Sequence, residues 1–175
     1  MRHNFVPISV LAALLAGCTG QVRLNTGATG PAIPAGSAVT LIGTAKNDHL
    51  LVAQAQKEVL AALASRGHSA GSGGAARIEV GLSDRLATTG IGVLEGPELS
   101  AAKKKKFLQT CKDRTYRLVL TYYGAGADVP VTRAWAEERH CKGPIDASIA
   151  ALAERAVASL AIGSSSESGT RPGAD

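Results

Sequence analysis

The stretch from Cys111 to Cys141, CKDRTYRLVLTYYGAGADVPVTRAWAEERHC, decides the fold because it predicts a β-hairpin. Aromatic and β-branched residues dominate Thr115–Tyr123, and apolar and polar residues alternate through Val129–Cys141, as they do in half-buried strands. The segment between them, Gly124–Asp128, supplies the glycines that hairpin loops need. We therefore expect two antiparallel strands joined by a short loop.

The two cysteines suggest the register of this hairpin. If Cys111 lies opposite Cys141, the two Cβ atoms come close enough for a disulfide, which an oxidising compartment permits. A catalytic pair of Cys111 and His140 is the less favoured alternative, because His140 and Cys141 are strand neighbours and point to opposite faces. The same register pairs opposite charges and places a cation over an aromatic ring, in the pairs Asp113 with Arg139, Arg114 with Glu138 and Arg117 with Trp135.

Alternation also sorts the hairpin side chains into two faces. One face is apolar and should meet the helices; it consists of Tyr116, Leu118, Leu120, Tyr122, Thr132, Ala134 and Ala136. The other face is mixed and carries Asp113, Arg117, Val119, Arg133, Trp135, Glu137 and Arg139. A metal site at Glu137, His140 and Cys141 is disfavoured, because no second group of ligands at metal spacing occurs. We expect no metal and no other cofactor.

The remaining elements predict an α+β fold. Val39–Gly43 is a short apolar strand, and apolar residues at helical spacing predict a helix from about His49 to Arg66. Ala76–Ser83 alternates as a strand, and a last helix opens at Gly143-Pro144 and ends at Gly163. The order β-α-β-β-β-α predicts a two-layer sandwich, with two helices on one face of a four-stranded, mainly antiparallel sheet.

The N-terminus, MRHNFVPISVLAALLAGC, has the pattern of an export signal. A short basic start precedes an apolar run of signal-peptide length, which ends in Leu15-Ala16-Gly17-Cys18. This ending resembles the lipobox of bacterial lipoproteins, and an ordinary secretory signal with a chance cysteine is the alternative. The resemblance implies that residues 1–17 are removed and that Cys18 carries the acyl chains, palmitate among them, that anchor the protein. Thr19 in place of Asp favours the outer membrane over the inner membrane, with the protein facing the periplasm.

Composition divides the rest of the chain. The 175 residues are 45% hydrophobic and 19% charged, which excludes a wholly disordered chain. Residues 18–37 are rich in Gly, Pro and Thr and predict a lipidated flexible tether, residues 38–162 form the domain, and residues 163–175 predict a disordered tail. Removal of residues 1–17 lowers the formal net charge from +5 to +4, because one Arg is lost.

Much of the positive charge lies in a lysine zone, residues 103–117, which begins within a long excursion at residues 86–110. A solvated, mobile loop is the simpler interpretation of such a charge run, and contact with an anionic envelope component is the functional one. A nucleic acid is a poor partner, because the predicted compartment holds none. The candidate contact residues are Lys103, Lys104, Lys105, Lys106, Lys112 and Arg114.

Four segments accompany the lipobox: AALASRGH (61–68), ARIEVGLSD (76–84), CKDRTYRL (111–118) and AEERHC (136–141). Together with the lipobox, they resemble a family of small proteobacterial periplasmic lipoproteins of unknown function. The resemblance implies the β-α-β-β-β-α domain and brings no catalytic residues with it. We expect a non-catalytic envelope binding or assembly module. The alternatives are a purely structural envelope tether and a hydrolase whose pocket is lined by Asp84, Glu95 or His140.

Overall fold

The computed structural model contains two helices and nine strands in the part of the chain that it describes. That part comprises residues 21–42, 50–72, 75–92, 98–100, 102–104, 112–141 and 143–172. The elements in chain order are β1 (Gln21–Thr29), β2 (Ala38–Ile42), α1 (Leu50–Ala64), β3 (Ser69–Ala70), β4 (Ala76–Leu86), β5 (Ile91–Gly92), β6 (Glu98–Ser100), β7 (Arg114–Tyr123), β8 (Thr132–His140), α2 (Asp146–Ile162) and β9 (Ser165–Pro172).

Seven strands form one mixed sheet in the order β3-β2-β4-β7-β8-β1-β9. β2 runs parallel to β3 and β4, whereas the β4–β7, β7–β8, β8–β1 and β1–β9 pairs are antiparallel. The parallel pair is possible because α1 carries the chain back across the sheet between β2 and β4. β5 and β6 form a separate two-stranded ladder.

Both helices pack on the same face of the large sheet. Ala55, Val59 and Leu63 of α1 and Ile149, Leu152, Ala153, Ala156, Val157 and Leu160 of α2 are buried in one cluster with the inward residues of the strands. Alanines on the strands and on both helices let the layers approach closely. Neither described helix is long and apolar enough to cross a membrane.

The expected four-stranded, mainly antiparallel sheet of order β-α-β-β-β-α is wrong, although the α+β class and the two helices on one face are right. β1, β3 and β9 extend the sheet to seven strands. Two of them lie in segments that composition assigned elsewhere: residues 21–29 are a strand rather than a tether, and residues 165–172 are a strand rather than a tail. Alternate side chains of β1 face the helices and are buried, namely those of Val22, Leu24, Thr26 and Ala28.

The hairpin of β7 and β8 forms, but its register differs by two residues from the expected one. Thr115 lies opposite Arg139 and Val119 opposite Trp135, so the predicted pairs of Asp113 with Arg139, Arg114 with Glu138 and Arg117 with Trp135 are wrong. The predicted position of Cys111 opposite Cys141 lies outside the described residues. β8 begins only at Thr132, because Pro130 has no N–H to donate to a ladder. A slip of two residues keeps every side chain on its predicted face, since strand side chains alternate with a period of two.

Candidate anion-binding face

The side of the sheet away from the helices is rich in arginine. Successive strand residues alternate between faces, so the residues next to the buried core residues in sequence project to the opposite side. We call this side the arginine face; its cations, from β1, β4, β7 and β8, are Arg23, Arg77, Arg85, Arg117, Arg133 and Arg139.

Glu137 is the carboxylate at the centre of this face. Its side chain is 4% exposed, and its Oε2 lies 3.4 Å from Nη2 of Arg85 and 3.8 Å from Nη1 of Arg117. Its Oε1 lies 3.3 Å from Nη2 of Arg139. Burial lowers the pKa of Arg117, while Glu137 opposes that change. A buried carboxylate that bridges several guanidinium groups fixes the strands that carry them.

Trp135 lies beside this network. The guanidinium carbon of Arg117 is 5.4 Å from the centre of the Trp135 ring, which is a cation–π distance. The predicted contact therefore forms, but diagonally, because Arg117 lies opposite Glu137 in the ladder. On its other side the indole covers Gly27 of β1, directly opposite Trp135.

Thr115 adds a polar group to the same face. It lies between Arg85 and Arg139, its partners in the two adjoining strands. The residue is fully buried, and its Oγ1 has no hydrogen-bond partner in the part of the chain that the structure describes.

Arg23 and Arg133 are the exposed cations of the face. Within the described ranges, no carboxylate lies at ion-pair distance from either of them. They belong to neighbouring strands, and the ladder position of Arg23 is six residues from that of Arg133, since Arg23 pairs with Arg139. At about 3.4 Å per residue that separation is about 20 Å. The two cations thus flank Trp135 and suit an extended anionic partner.

Two of the predicted contact residues in the lysine zone, Lys103 and Arg114, form ion pairs with acids of the same chain. Lys103 forms an ion pair with Asp113. Nε and Nη2 of Arg114 donate to Oδ1 and Oδ2 of Asp84 at 2.6 Å and 2.7 Å, and these hydrogen bonds raise the pKa of Arg114. Lys104 and Lys112 are exposed. Lys105 and Lys106 lie outside the described residues.

The cysteine predictions fall largely outside the described residues. Cys18 and Cys111 lie there, whereas Cys141 is exposed directly after β8. Cys141 takes part in a disulfide. The pairing of Cys111 with Cys141 and the acylation of Cys18 stay predictions.

A buried polar cluster beneath the start of α2 was not foreseen. Nε2 of His140 lies 2.9 Å from Oε2 of Glu138 and 2.8 Å from Oγ of Ser148, and both partners are fully buried. The hydroxyl of Tyr116 donates to the carbonyl of Gly143 at 2.6 Å. The signal was present in the sequence, because alternation places Glu138 and His140 on the apolar side of β8.

This cluster contains a serine, a histidine and a carboxylate but not the geometry of a catalytic triad. A triad places its carboxylate and its nucleophile on different ring nitrogens of the histidine, whereas Ser148 and Glu138 share Nε2. Of the residues proposed to line a hydrolase pocket, Asp84 is bound by Arg114, His140 is 8% exposed, and Glu95 lies outside the described residues.

In the described ranges no three His, Cys, Asp or Glu residues come together as metal ligands. An open cleft of about 350 Å³ lies between β1, β9 and α2. Leu24, Thr26, Arg155, Glu167 and Gly169 line it.

Comparison with known proteins finds likeness in structure and not in sequence. No protein-family model matches the chain, and no curated protein sequence does. The chain is similar to a PelC dodecamer from Paraburkholderia phytofirmans, with a TM-score of 0.49 and 9% identity over 79% of this chain and 99% of that one.

A second crystal form of that dodecamer, of a single-substitution variant, gives the same TM-score and covers 98% of its chain. A PDZ domain protein from Parabacteroides distasonis matches with a TM-score of 0.42 and 10% identity over 82% of this chain and 37% of that one. With TM-scores below 0.5, these likenesses assign no function to this chain.

Proposed function

We propose that this chain is an outer-membrane lipoprotein, anchored through Cys18 and facing the periplasm, that binds an anionic envelope component without catalysing a reaction. The observation that carries the binding role is the placement of Arg23 and Arg133. Both are exposed on the side of the sheet that the helices leave open, and they flank Trp135. The anchor rests on the lipobox.

The arginine face suits a partner that is extended and negatively charged. Arg23 and Arg133 supply cations about 20 Å apart along the strands, and Trp135 supplies a partly buried aromatic side chain between them. The internal network around Glu137 holds these groups in place, because its charges are paired across three strands. Binding should therefore need little rearrangement of the sheet.

In-cell photocrosslinking tests the proposal. A crosslinking amino acid replaces Ser83, which is exposed on the arginine face, or Ser65, which is exposed just after α1. We expect an adduct with an anionic component from position 83 only, and its loss when Arg23 and Arg133 are both changed to Ser. Equal adducts from both positions, or none from position 83, would contradict the binding role.

The structural-tether alternative makes a different prediction in the same strains. If the chain is only a structural tether of the envelope, the Arg23→Ser/Arg133→Ser variant should restore the wild-type phenotype to a deletion strain as fully as the unaltered protein does. A binding module requires partial or no restoration by that variant. Cys18→Ser should fail to restore the phenotype in both cases.

A further inference from the structure

We infer that one end of the sheet is a second binding surface, which rests on the anionic lipid headgroups of the membrane that holds the anchor. We call this surface the basic end. Its cations are Arg23, Lys103, Lys104, Lys112, Arg114 and Arg139. The inference rests on the proposed lipid anchor and assigns a partner to the lysine zone, which the arginine-face proposal leaves without one.

The topology gathers these residues from distant parts of the sequence. β1 begins where β8 ends, since Arg23 pairs with Arg139. β7 begins where β4 ends, since Arg114 pairs with Leu86. The backbone N–H of Lys103 donates to the carbonyl of Ala87, whose own N–H donates to the carbonyl of Asp113. Lys103 and Lys104 are thus held at the same end.

The charge at this end remains positive after the internal ion pairs are counted. Asp113 is paired with Lys103, and Asp84 with Arg114. Arg23, Lys104 and Lys112 are exposed. Asp146, exposed at the start of α2, is an acid on the helix side of this end, near enough to Tyr116 to act on its pKa. At the opposite end of the sheet, Arg77 pairs with Asp128.

The start of β1 brings the basic end close to the predicted anchor. Gln21 is the first residue of β1, three residues after Cys18. A fully extended chain spans at most about 3.6 Å per residue, so the anchor lies within about 11 Å of Gln21. That reach is close to the screening length at physiological ionic strength, about 8 Å, within which surface charges attract cations. An acyl anchor and a basic patch together give firmer attachment than either alone.

The first experiment measures which lysines the membrane protects. The acylated full chain is placed in vesicles of phosphatidylcholine, with or without phosphatidylglycerol, and its lysines are acetylated and read by mass spectrometry. We expect phosphatidylglycerol to slow labelling of Lys104 and Lys112 several-fold and to leave Lys57, exposed on α1, unchanged. Equal rates in both vesicle types, or equal protection of Lys57, would overturn the inference.

The second experiment does not depend on the anchor. The mature chain with Cys18→Ser is sedimented with phosphatidylglycerol vesicles at low and high salt. We expect salt-sensitive binding that weakens about fivefold for each of Lys104→Ser and Lys112→Ser. The matched controls, Lys57→Ser and Arg66→Ser, each remove one exposed positive charge elsewhere and should bind like the parent chain.

The outcomes separate the inference from the proposed function. If Cys18 proves not to be acylated, the anchored-lipoprotein proposal fails, while sedimentation of the Cys18→Ser chain still decides whether the basic end binds lipid. Absence of binding to phosphatidylglycerol vesicles, or equal weakening by the controls, would refute the basic end as a lipid surface even if Cys18 is acylated.

Discussion

Gly27 of β1 and Trp135 of β8 are directly opposed, and the indole occupies the space where a side chain of Gly27 would lie. A Cβ atom at Gly27 would come within 2.8 Å of both Cη2 of Trp135 and the carbonyl oxygen of Ser165. Aromatic rings that cover a glycine on the neighbouring strand help to fix sheet register. This contact joins the hairpin to the N-terminal strand.

Gly27→Ala should therefore destabilise the fold. Overpacking of this kind costs about 1–3 kcal/mol, and the loss should appear in urea unfolding followed by the fluorescence of Trp135, the single tryptophan of the chain. Gly81→Ala is the matched control, because a Cβ there meets nothing closer than 3.9 Å. Equal stability of the Gly27→Ala variant and the wild type would show that the indole is not seated on Gly27.

Glu137→Gln should cost more than any other single change on the arginine face. The substitution keeps the shape of a side chain that is 4% exposed but removes the charge that faces Arg85, Arg117 and Arg139. Breaking a buried ion pair in this way costs about 3–5 kcal/mol, because the remaining charges lose their compensation.

The free energy of unfolding, measured in urea, should show this loss. Glu154→Gln, at an exposed position on α2, should leave it unchanged. A Glu137→Gln protein as stable as that control would mean that the arginines do not depend on Glu137.

Tyr116 should make the fold sensitive to alkaline pH. Burial raises the pKa of its hydroxyl above the ordinary value, with a smaller contribution from Asp84. The native state then holds this proton more tightly than the unfolded chain does. The stabilisation is therefore complete below about pH 10 and is lost as the pH rises through the native pKa.

Comparison with Tyr116→Phe isolates this effect. The variant lacks the hydrogen bond to Gly143 and should be about 1 kcal/mol less stable than the wild type near neutral pH. The difference in the free energy of unfolding, measured in urea at each pH, should shrink above about pH 10. Thr132→Val is the control, because it loses a hydroxyl bond of the same 2.6 Å length, to the carbonyl of Pro31, that does not titrate. A constant difference for Tyr116→Phe would contradict the linkage.

Peptide mapping under non-reducing conditions should resolve the three cysteines. We expect exported protein to yield a disulfide-linked pair of peptides that contain Cys111 and Cys141, and an N-terminal peptide in which Cys18 is acylated. Two free thiols at Cys111 and Cys141, or a bond between Cys18 and Cys141, would contradict this assignment.

The elements that could be predicted are those with a pattern of their own. α1 was expected from about His49 to Arg66 and spans Leu50–Ala64, because its apolar residues recur at helical spacing. β9 reads SSESGTRP and has no apolar alternation, since an edge strand is held by its backbone ladder to β1. Such a strand cannot be recognised from its own sequence, because its conformation depends on pairing with the neighbouring strand.

The arginine face could be predicted only in part, for the same reason. Alternation within the hairpin placed Arg117, Arg133, Trp135, Glu137 and Arg139 on one face, where they are found. Arg23 and Arg85 join them from β1 and β4, and only the strand order of the whole sheet brings them there. The ion pairs of Lys103 with Asp113 and of Arg114 with Asp84 were not predicted, because each depends on how the folded chain brings its two residues together.

The pairing of β1 with β8 has a consequence for when the protein can fold. More than a hundred residues separate Arg23 from its partner Arg139, and β9 is the last described element of the chain. β1 must therefore wait for partners that lie far along the chain, and contacts so distant in sequence slow folding because the intervening chain must be ordered before they form. The sheet can close only when β8 and β9 are both available to β1, and until then β1 needs protection from other unpaired strand edges.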